Sequence, residues 1–341
     1  MSSQDSLDLV ALRRWLDHHL PEQTGGALTA RLIAGGRSNP TYELSDGTRE
    51  WILRRPPHGH VLPTAHDMRR EHRVLDALAG TAVPVPGVVG PSADADVIGV
   101  PFYVMDKLPG ITLRTRADAA RLSPERRRSL AHTMVDALAV LHEVDPAEVG
   151  LGDFGRPAGY LDRQLDRWRR QWEASATSPR PEVDELLHRL ARHRPTTRRS
   201  GIVHGDFKLD NIMVDVDGSR ILGVLDWEMS TLGDTDADLG TLCSFWDEPG
   251  EPEHPITAGS TAIQGFPSRE ELVERYAFVR GIDVPDISWY RAFADVKTAV
   301  ILEGIHARHR SGLTVGEGFD GVGEMVGTLL DRALDLTATY S

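Results

Sequence analysis

Apolar and polar positions follow two different rhythms along the chain. Between residues 28 and 105, the short runs ALTARLI, TYELSD, WILRR and VIGVPFYVM alternate with turn-forming residues, and each predicts a β-strand. One helical stretch interrupts them, HDMRREHRVLDALAG, with Met68, Val74, Leu75 and Leu78 on one face. A leading amphipathic helix is expected over 5–20, capped at Asp5 or Ser6, with Leu9, Leu12, Trp15, Leu16 and Leu20 at helical spacing. Pro-Gly punctuation in DKLPG ends this strand-rich part, and helices dominate from residue 123 onward. Ser123-Pro124-Glu125 opens one that runs through MVDALAVLH, and GYLDRQLDRWRRQW forms a second. Ser268-Arg269-Glu270-Glu271 is a capping box, and two further helices are expected near 286–310 and 319–337. PEVDE and DEPGEPEHP read as polar loops.

This pattern predicts an α+β protein with two lobes. A small antiparallel-sheet lobe spans 1–105, a hinge 106–110, and a larger helical lobe 111–341. Ligands often bind in the cleft between such lobes.

Set among the helices is the run IVHGDFKLDNIMV, residues 202–214. It places His204, Asp206, Lys208, Asp210 and Asn211 between two apolar patches that read as short buried strands. A loop fixed by buried strands is a natural seat for chemistry. Asn211 follows Asp206 by five residues, and Asp226 ends the apolar run RILGVLD. Mg²⁺ wants few protein oxygens and completes its shell with water and substrate phosphates. An Asn211 amide and an Asp226 carboxylate meet that demand and leave Asp206 to orient a hydroxyl and accept its proton. Lys208 either pairs with Asp210 at the surface or neutralises charge on a transferring phosphoryl group.

Composition narrows the field. A net charge of −13 argues against a nucleic-acid backbone as partner. From Asp206 to Glu248 there are eleven carboxylates against Lys208 and Arg220, and most of these read as a solvated acidic face. No window approaches the roughly 18 uninterrupted apolar residues of a membrane span, so no membrane partner is expected and the protein reads as cytoplasmic. The single cysteine, Cys243, excludes a disulfide framework and reads as a small buried hydrophobe.

HGDFKLDN followed by VLDWE resembles the catalytic loop and metal-binding segment of the aminoglycoside phosphotransferase and choline kinase-like family, itself similar to protein kinases. The resemblance covers nearly the whole chain. It implies a protein-kinase-like fold, ATP and Mg²⁺ as cofactors, Asp206 as catalytic base, and Asn211 and Asp226 as metal ligands. His204 takes an orienting part. AGGRSNPTYEL is similar to the family's phosphate-covering loop, which implies roles for Gly35, Gly36, Ser38 and Asn39. Arg54 falls where kinases carry the phosphate-binding lysine, with Glu71 as its partner; Arg55 is the alternative to Arg54. FYVMDKLPG resembles the hinge, with Met105 as gate and the backbone at Asp106 and Leu108 meeting adenine. In LGDTDADLG, Asp234 and Asp238 match a family motif; Asp238 is read as a helix-start and scaffold residue and Asp236 as solvated.

The segments GLGDFGRPAGYLDRQLDRWRRQW, GFPSREELVERYAFVRGIDV and WYRAFADVKTAVILEGIHARH are similar to the kinase-like domain fused to some acyl-CoA dehydrogenases. That implies phosphorylation of a hydroxyl on a small metabolite such as a hydroxyacyl thioester, with a functional link to a dehydrogenase. Arg163, Arg167 and Arg170 on the 159–172 helix are either surface residues or contacts to an acidic group such as a CoA phosphate. A kinase acting on aminoglycosides or macrolides and a non-catalytic nucleotide-binding module are the alternatives. Oligomeric state is not written in the sequence.

Overall fold

The computed structural model describes all residues except 1–6, 22–24, 34–38, 57–66, 94, 285, 313–318 and 341. The chain divides into two compact units, Met1–Pro109 with Leu222–Glu228, and Gly110–Ile221 with Met229–Ser341.

The first unit begins with α1 (Leu9–His19), continues through β1 (Thr29–Leu32), β2 (Thr41–Ser45), β3 (Glu50–Arg54), α2 (Met68–Leu78) and β4 (Val88–Ala93), and reaches β5 (Phe102–Asp106). Helix α1 is capped by Asp8, whose Oδ1 accepts from the backbone N–H of Val10 (3.1 Å) and Ala11 (2.9 Å), so the start lies later than the expected Asp5 or Ser6. The five strands form one antiparallel sheet in the order β1-β2-β3-β5-β4. Period-two burial puts Tyr42, Leu44, Trp51 and Leu53 into a core shared with Leu12 and Leu16 of α1, each such residue contributing about 1.5–3 kcal/mol. One sequence expectation is corrected, and one strand is added. Val97–Pro101 lie in turns, so the strand expected over 97–105 starts at Phe102. Strand β4, which the pattern did not suggest, contains Gly90-Pro91 and pairs irregularly between Val89 and Ala93.

The second unit holds β6 (Ile111–Thr112), α3 (Arg116–Ala120), α4 (Pro124–Glu143), α5 (Tyr160–Ser175), α6 (Pro181–Arg192), β7 (Ser200–Val203) and β8 (Ile212–Val214). Strand β9 (Ile221–Val224) follows and carries the chain into the segment that belongs to the first unit. The second unit resumes with β10 (Thr231–Asp234), α7 (Asp236–Ser244), α8 (Arg269–Arg280), α9 (Ser288–Arg310) and α10 (Val322–Leu336). The capping box at Ser268 opens α8 as expected. Strand β7 pairs antiparallel with β10, and β6 with β8. Helix α9 is buried on nearly every side, which makes it the central element of this unit. Cys243 is fully buried, and burial pushes its thiol up to about 12.

PEVDE is not a loop but the first turn and a half of α6. Pro181 at the first helical position, with Glu182 and Asp184 behind it, is a helix start favoured by proline's fixed φ and by the helix dipole. Val183, Leu186, Leu187 and Leu190 then bury one face. Leu186→Ala should cost about 2–5 kcal/mol in urea unfolding, against less than about 0.5 kcal/mol for the neighbouring exposed Glu185→Ala; equal effects would contradict this helix.

Candidate functional site

In the first unit the candidate residues gather around one buried guanidinium. Strand β3 ends at Arg54, and Asp67 caps α2 so that Glu71 falls in its first turn on the buried face. Arg54 Nη1 lies 2.9 Å from Glu71 Oε2, and its Nη2 lies 3.1 Å from Asp226 Oδ1. Tyr103 donates to Glu71 Oε2 at 2.9 Å. Asn39 Nδ2 bridges Glu71 Oε1 and Glu228 Oε2, both at 3.0 Å. Burial works against the Arg54 charge, but Glu71, Asp226 and Glu228 more than offset it and hold its pKa well above the ordinary value. Among the described residues, the Arg54 guanidinium thus faces the carboxylates of Glu71, Asp226 and Glu228. Arg54, not Arg55, is the partner of Glu71; Arg55 turns to the Tyr42 hydroxyl at 2.8 Å and lies over its ring.

Asp226 adopts φ +66°, and among the described residues only Ala258 shares a positive φ without being glycine. This conformation costs on the order of 1–3 kcal/mol and persists only where the surroundings impose it. They do so here through Trp227, whose indole N–H donates to Val224 O at 2.9 Å, and through Val224 N–H on Pro84 O at 2.8 Å.

At the end of β5, Met105 is buried, and Asp106 N–H donates to Gly87 O at 2.8 Å. Leu108 lies over Gly223, where an added Cβ would come within 2.5 Å of its side chain. Gly35, Gly36 and Ser38 lie outside the described residues.

In the second unit the loop between β7 and β8 is pinned at consecutive positions. Asp238, in the first turn of α7, accepts from His204 N–H at 2.6 Å and from Gly205 N–H at 2.8 Å. Gly205 has φ +83°, and a Cβ there would meet Met229 O at 2.6 Å, so only glycine fits. His204 Nδ1 accepts from Asp206 N–H at 3.1 Å. Asn211 Nδ2 donates to the Asp206 backbone oxygen (2.8 Å) and to its Oδ2 (2.9 Å), which leaves the amide oxygen to face a cation. Lys208 is ion-paired with Asp206, and its ammonium lies 5.0 Å from the centre of the Phe245 ring.

The buried Asp238 is drawn upward by burial, but His142 and the backbone donors prevail and hold its pKa below the usual carboxylate range. Asp210 is the opposite case. Burial lifts its carboxyl to about 6, and its Oδ1 has no hydrogen-bond partner.

Two expectations change. Asp236 is not solvated but fully buried and paired with Arg199 at 3.1 Å. The stretch 206–248 is not mainly a solvated face: Asp234, Asp236, Asp238 and Asp247 are buried, and only Asp217 and Glu228 among its carboxylates are exposed. Arg163, Arg167 and Arg170 are all exposed, in keeping with the surface alternative; Arg163 donates to the carbonyls of Ala158 and Arg156, and Arg167 lies over the Trp168 ring at 4.8 Å.

Tyr103, Glu228, His142 and Lys297 were not singled out from sequence. Lys297 carried a signal, a lysine amid apolar neighbours in ADVKTAV, within an expected helix. The other three become recognisable only through partners far away in the chain.

Two outcomes follow from these environments. Arg54→Met should destabilise the protein by about 3–5 kcal/mol in urea unfolding, because buried Glu71 loses its counter-charge. Arg54→Lys should cost less, since an ammonium keeps the charge but not the fork to both carboxylates. The raised pKa of Asp210 means that the folded state holds its proton more tightly than the unfolded state, so stability falls as pH rises from about 4 to about 6. Asp210→Asn should abolish that loss and stabilise the protein at pH 7; an unchanged urea midpoint at pH 7 would contradict it.

The family model described as "Phosphotransferase enzyme family" matches residues 29–272. Acyl-CoA dehydrogenase family member 11 of Gallus gallus is 36% identical over 99% of this chain and 44% of its own length. The chain therefore spans less than half of that relative. A solved structure from Ralstonia eutropha, provisionally named an aminoglycoside phosphotransferase, has a TM-score of 0.81 and 32% identity, and the match covers 98% of this chain and 100% of that one. A thermostable mutant of aminoglycoside phosphotransferase APH(4)-Ia, solved in a ternary complex with AMP-PNP and hygromycin B, shares the fold at a TM-score of 0.61 and 13% identity, over 96% of this chain and 98% of its own. With its small antiparallel sheet, its helical unit and the HGDFKLDN and VLDWE segments, the chain belongs to the phosphotransferase enzyme family.

Proposed function

We propose that the protein is an ATP- and Mg²⁺-dependent kinase that transfers the γ-phosphoryl group to a hydroxyl of a small cytoplasmic metabolite, of the hydroxyacyl-CoA type. The observation that carries this reading is Asp226, kept in a left-handed backbone conformation and tied through Arg54 to Glu71. A carboxylate maintained at that cost suits a metal ligand.

Asn211 and Asp226 would hold Mg²⁺, which supplies charge neutralisation on the phosphates. Among the described residues no group of three or more His, Cys, Asp or Glu forms a metal cage, so these two oxygens would serve alongside water and phosphate. The Arg54 fork, oriented by Glu71, would bind the α- and β-phosphates, with Gly35, Gly36, Ser38 and Asn39 covering them. Met105 would line the adenine pocket. Since Asp106 N–H is engaged by Gly87, the adenine edge would meet the Asp106 carbonyl and the Leu108 backbone. Asp206 would accept the hydroxyl proton as the new oxygen–phosphorus bond forms and the γ-phosphorus bond to the bridging oxygen of the departing ADP breaks, and Lys208 would move to the phosphoryl oxygens.

Arg167 supports an anionic acceptor. The residue is exposed, yet the surrounding protein partly desolvates the guanidinium and lowers its pKa. The one group that opposes this shift is the nearby Tyr160 hydroxyl, and no acidic side chain pairs with Arg167 among the described residues. The guanidinium is thus available to a phosphate or carboxylate. Burial of Asp234, Asp236, Asp238 and Asp247 removes much of the acidic surface that a polycationic antibiotic would need. The likeness to acyl-CoA dehydrogenase family members supports a functional link, in which a dehydrogenase-type enzyme consumes the phosphorylated product.

The test is an acceptor panel of hydroxyacyl-CoA esters, sugars, choline-like amines and aminoglycosides, with transfer from γ-labelled ATP as the readout. Wild type should phosphorylate the CoA esters, and Asp206→Ala should lower the rate about 100-fold or more. ATP with Mg²⁺ at about 100 times its Kd should stabilise wild type by about 2.7 kcal/mol, and Asp226→Ala should lose most of that gain. Equal, negligible transfer by wild type and Asp206→Ala across the panel would sink the proposal.

A further inference from the structure

Lys297 lies in the middle of α9, flanked by buried Val296 and Thr298, and is itself only 6% exposed. Its ammonium donates to Gly205 O at 2.7 Å and to Thr241 Oγ1 at 3.3 Å. Both acceptors are neutral, and among the described residues no carboxylate lies within ion-pair distance of its Nζ. Burying an ammonium in this way costs several kcal/mol, whereas a leucine or methionine would fill the space without that penalty. Its location offers a reason for keeping the charge. The carbonyl it grips belongs to the peptide that leads directly into Asp206.

We propose that Lys297 is a positioning residue for phosphoryl transfer: it fixes the Gly205–Asp206 peptide and remains as the counter-charge behind Asp206 when Lys208 moves to the transferring phosphoryl group. The proposal rests on the kinase reading above. Lys208 is paired with Asp206 in this structure, so its departure would strip the carboxylate of that cation. Lys297 cannot follow it, because its stem is packed in the helical core and its head is bonded to backbone. The two ammonium groups therefore divide the work: one moves with the phosphoryl group and the other stays with the base.

The groups facing Lys297 come from three other elements. They are Asp206 and Lys208 from the loop, Asp238 from α7 and Arg167 from α5. Burial lowers the Lys297 pKa from the ordinary lysine value, Asp206 and Asp238 oppose that shift, and Lys208 and Arg167 add to it. The charge is thus maintained by the same carboxylate that it serves.

Two measurements test this. In kinetics, Lys297→Met should remain folded and lose about tenfold or more in kcat, with the KM for ATP changed by less than about threefold, because positioning rather than nucleotide binding is lost. Lys297→Arg should recover part of the rate, and the alkaline fall in wild-type kcat should disappear in Lys297→Met. A folded Lys297→Met with wild-type kcat would overturn the proposal. Independently of turnover, the side-chain ammonium of Lys297 can be titrated by NMR in ¹⁵N-lysine-labelled protein. Asp206→Asn should lower its pKa, and an identical titration in both proteins would overturn the coupling. That second measurement decides the matter if Lys297→Met fails to fold. Absence of transfer by wild type would refute the kinase reading, while the titration would still judge Lys297.

Discussion

Two consecutive backbone amides, those of His204 and Gly205, end on the two oxygens of a single buried carboxylate, Asp238. Charge-assisted hydrogen bonds of this kind are about twice as strong as neutral ones, and the N-terminal turn of α7 adds its dipole to the same carboxylate. His142 of α4 approaches Asp238 Oδ2 at 3.3 Å, and Tyr276 of α8 lies 2.7 Å from the other ring nitrogen of His142. With Lys297 of α9 on the Gly205 carbonyl, four helices thereby converge on two residues of loop backbone. The loop that presents Asp206 is thereby anchored to the helical core.

The first unit solves a different electrostatic problem. Arg54, Glu71 and Asp226 are far apart in sequence, and their meeting depends on one side chain that can address two carboxylates together. A lysine would place a point charge between them; the planar guanidinium assigns a separate N–H edge to each. Asn39 and Tyr103 then complete the surroundings of Glu71, so that this buried acid is held by an arginine, an amide and a phenol.

What could be read from the sequence was set by the range of the interactions involved. Strands β2 and β3 and helices α4, α5 and α9 carry their own periodicity and caps, and so were visible locally. Strand β4 was not, because Gly90 and Pro91 break the alternation, and α6 was missed because its opening proline resembles loop punctuation. The HGDFKLDN and VLDWE segments, each local in sequence, carried the resemblance to the phosphotransferase family. Asp236 could not be distinguished from its solvated neighbours, since its burial is decided by Arg199, 37 residues earlier. The bridge from Asn39 to Glu228 spans 189 positions, and nothing local in either segment specifies it.

The solitary thiol of Cys243 has a practical corollary. Enclosed in α7 and drawn up to about 12, it is shielded from alkylating reagents and oxidants as long as the surrounding helices stay packed. Since the chain has no second cysteine, the rate at which this sulfur becomes chemically available is a built-in clock for opening of the helical unit.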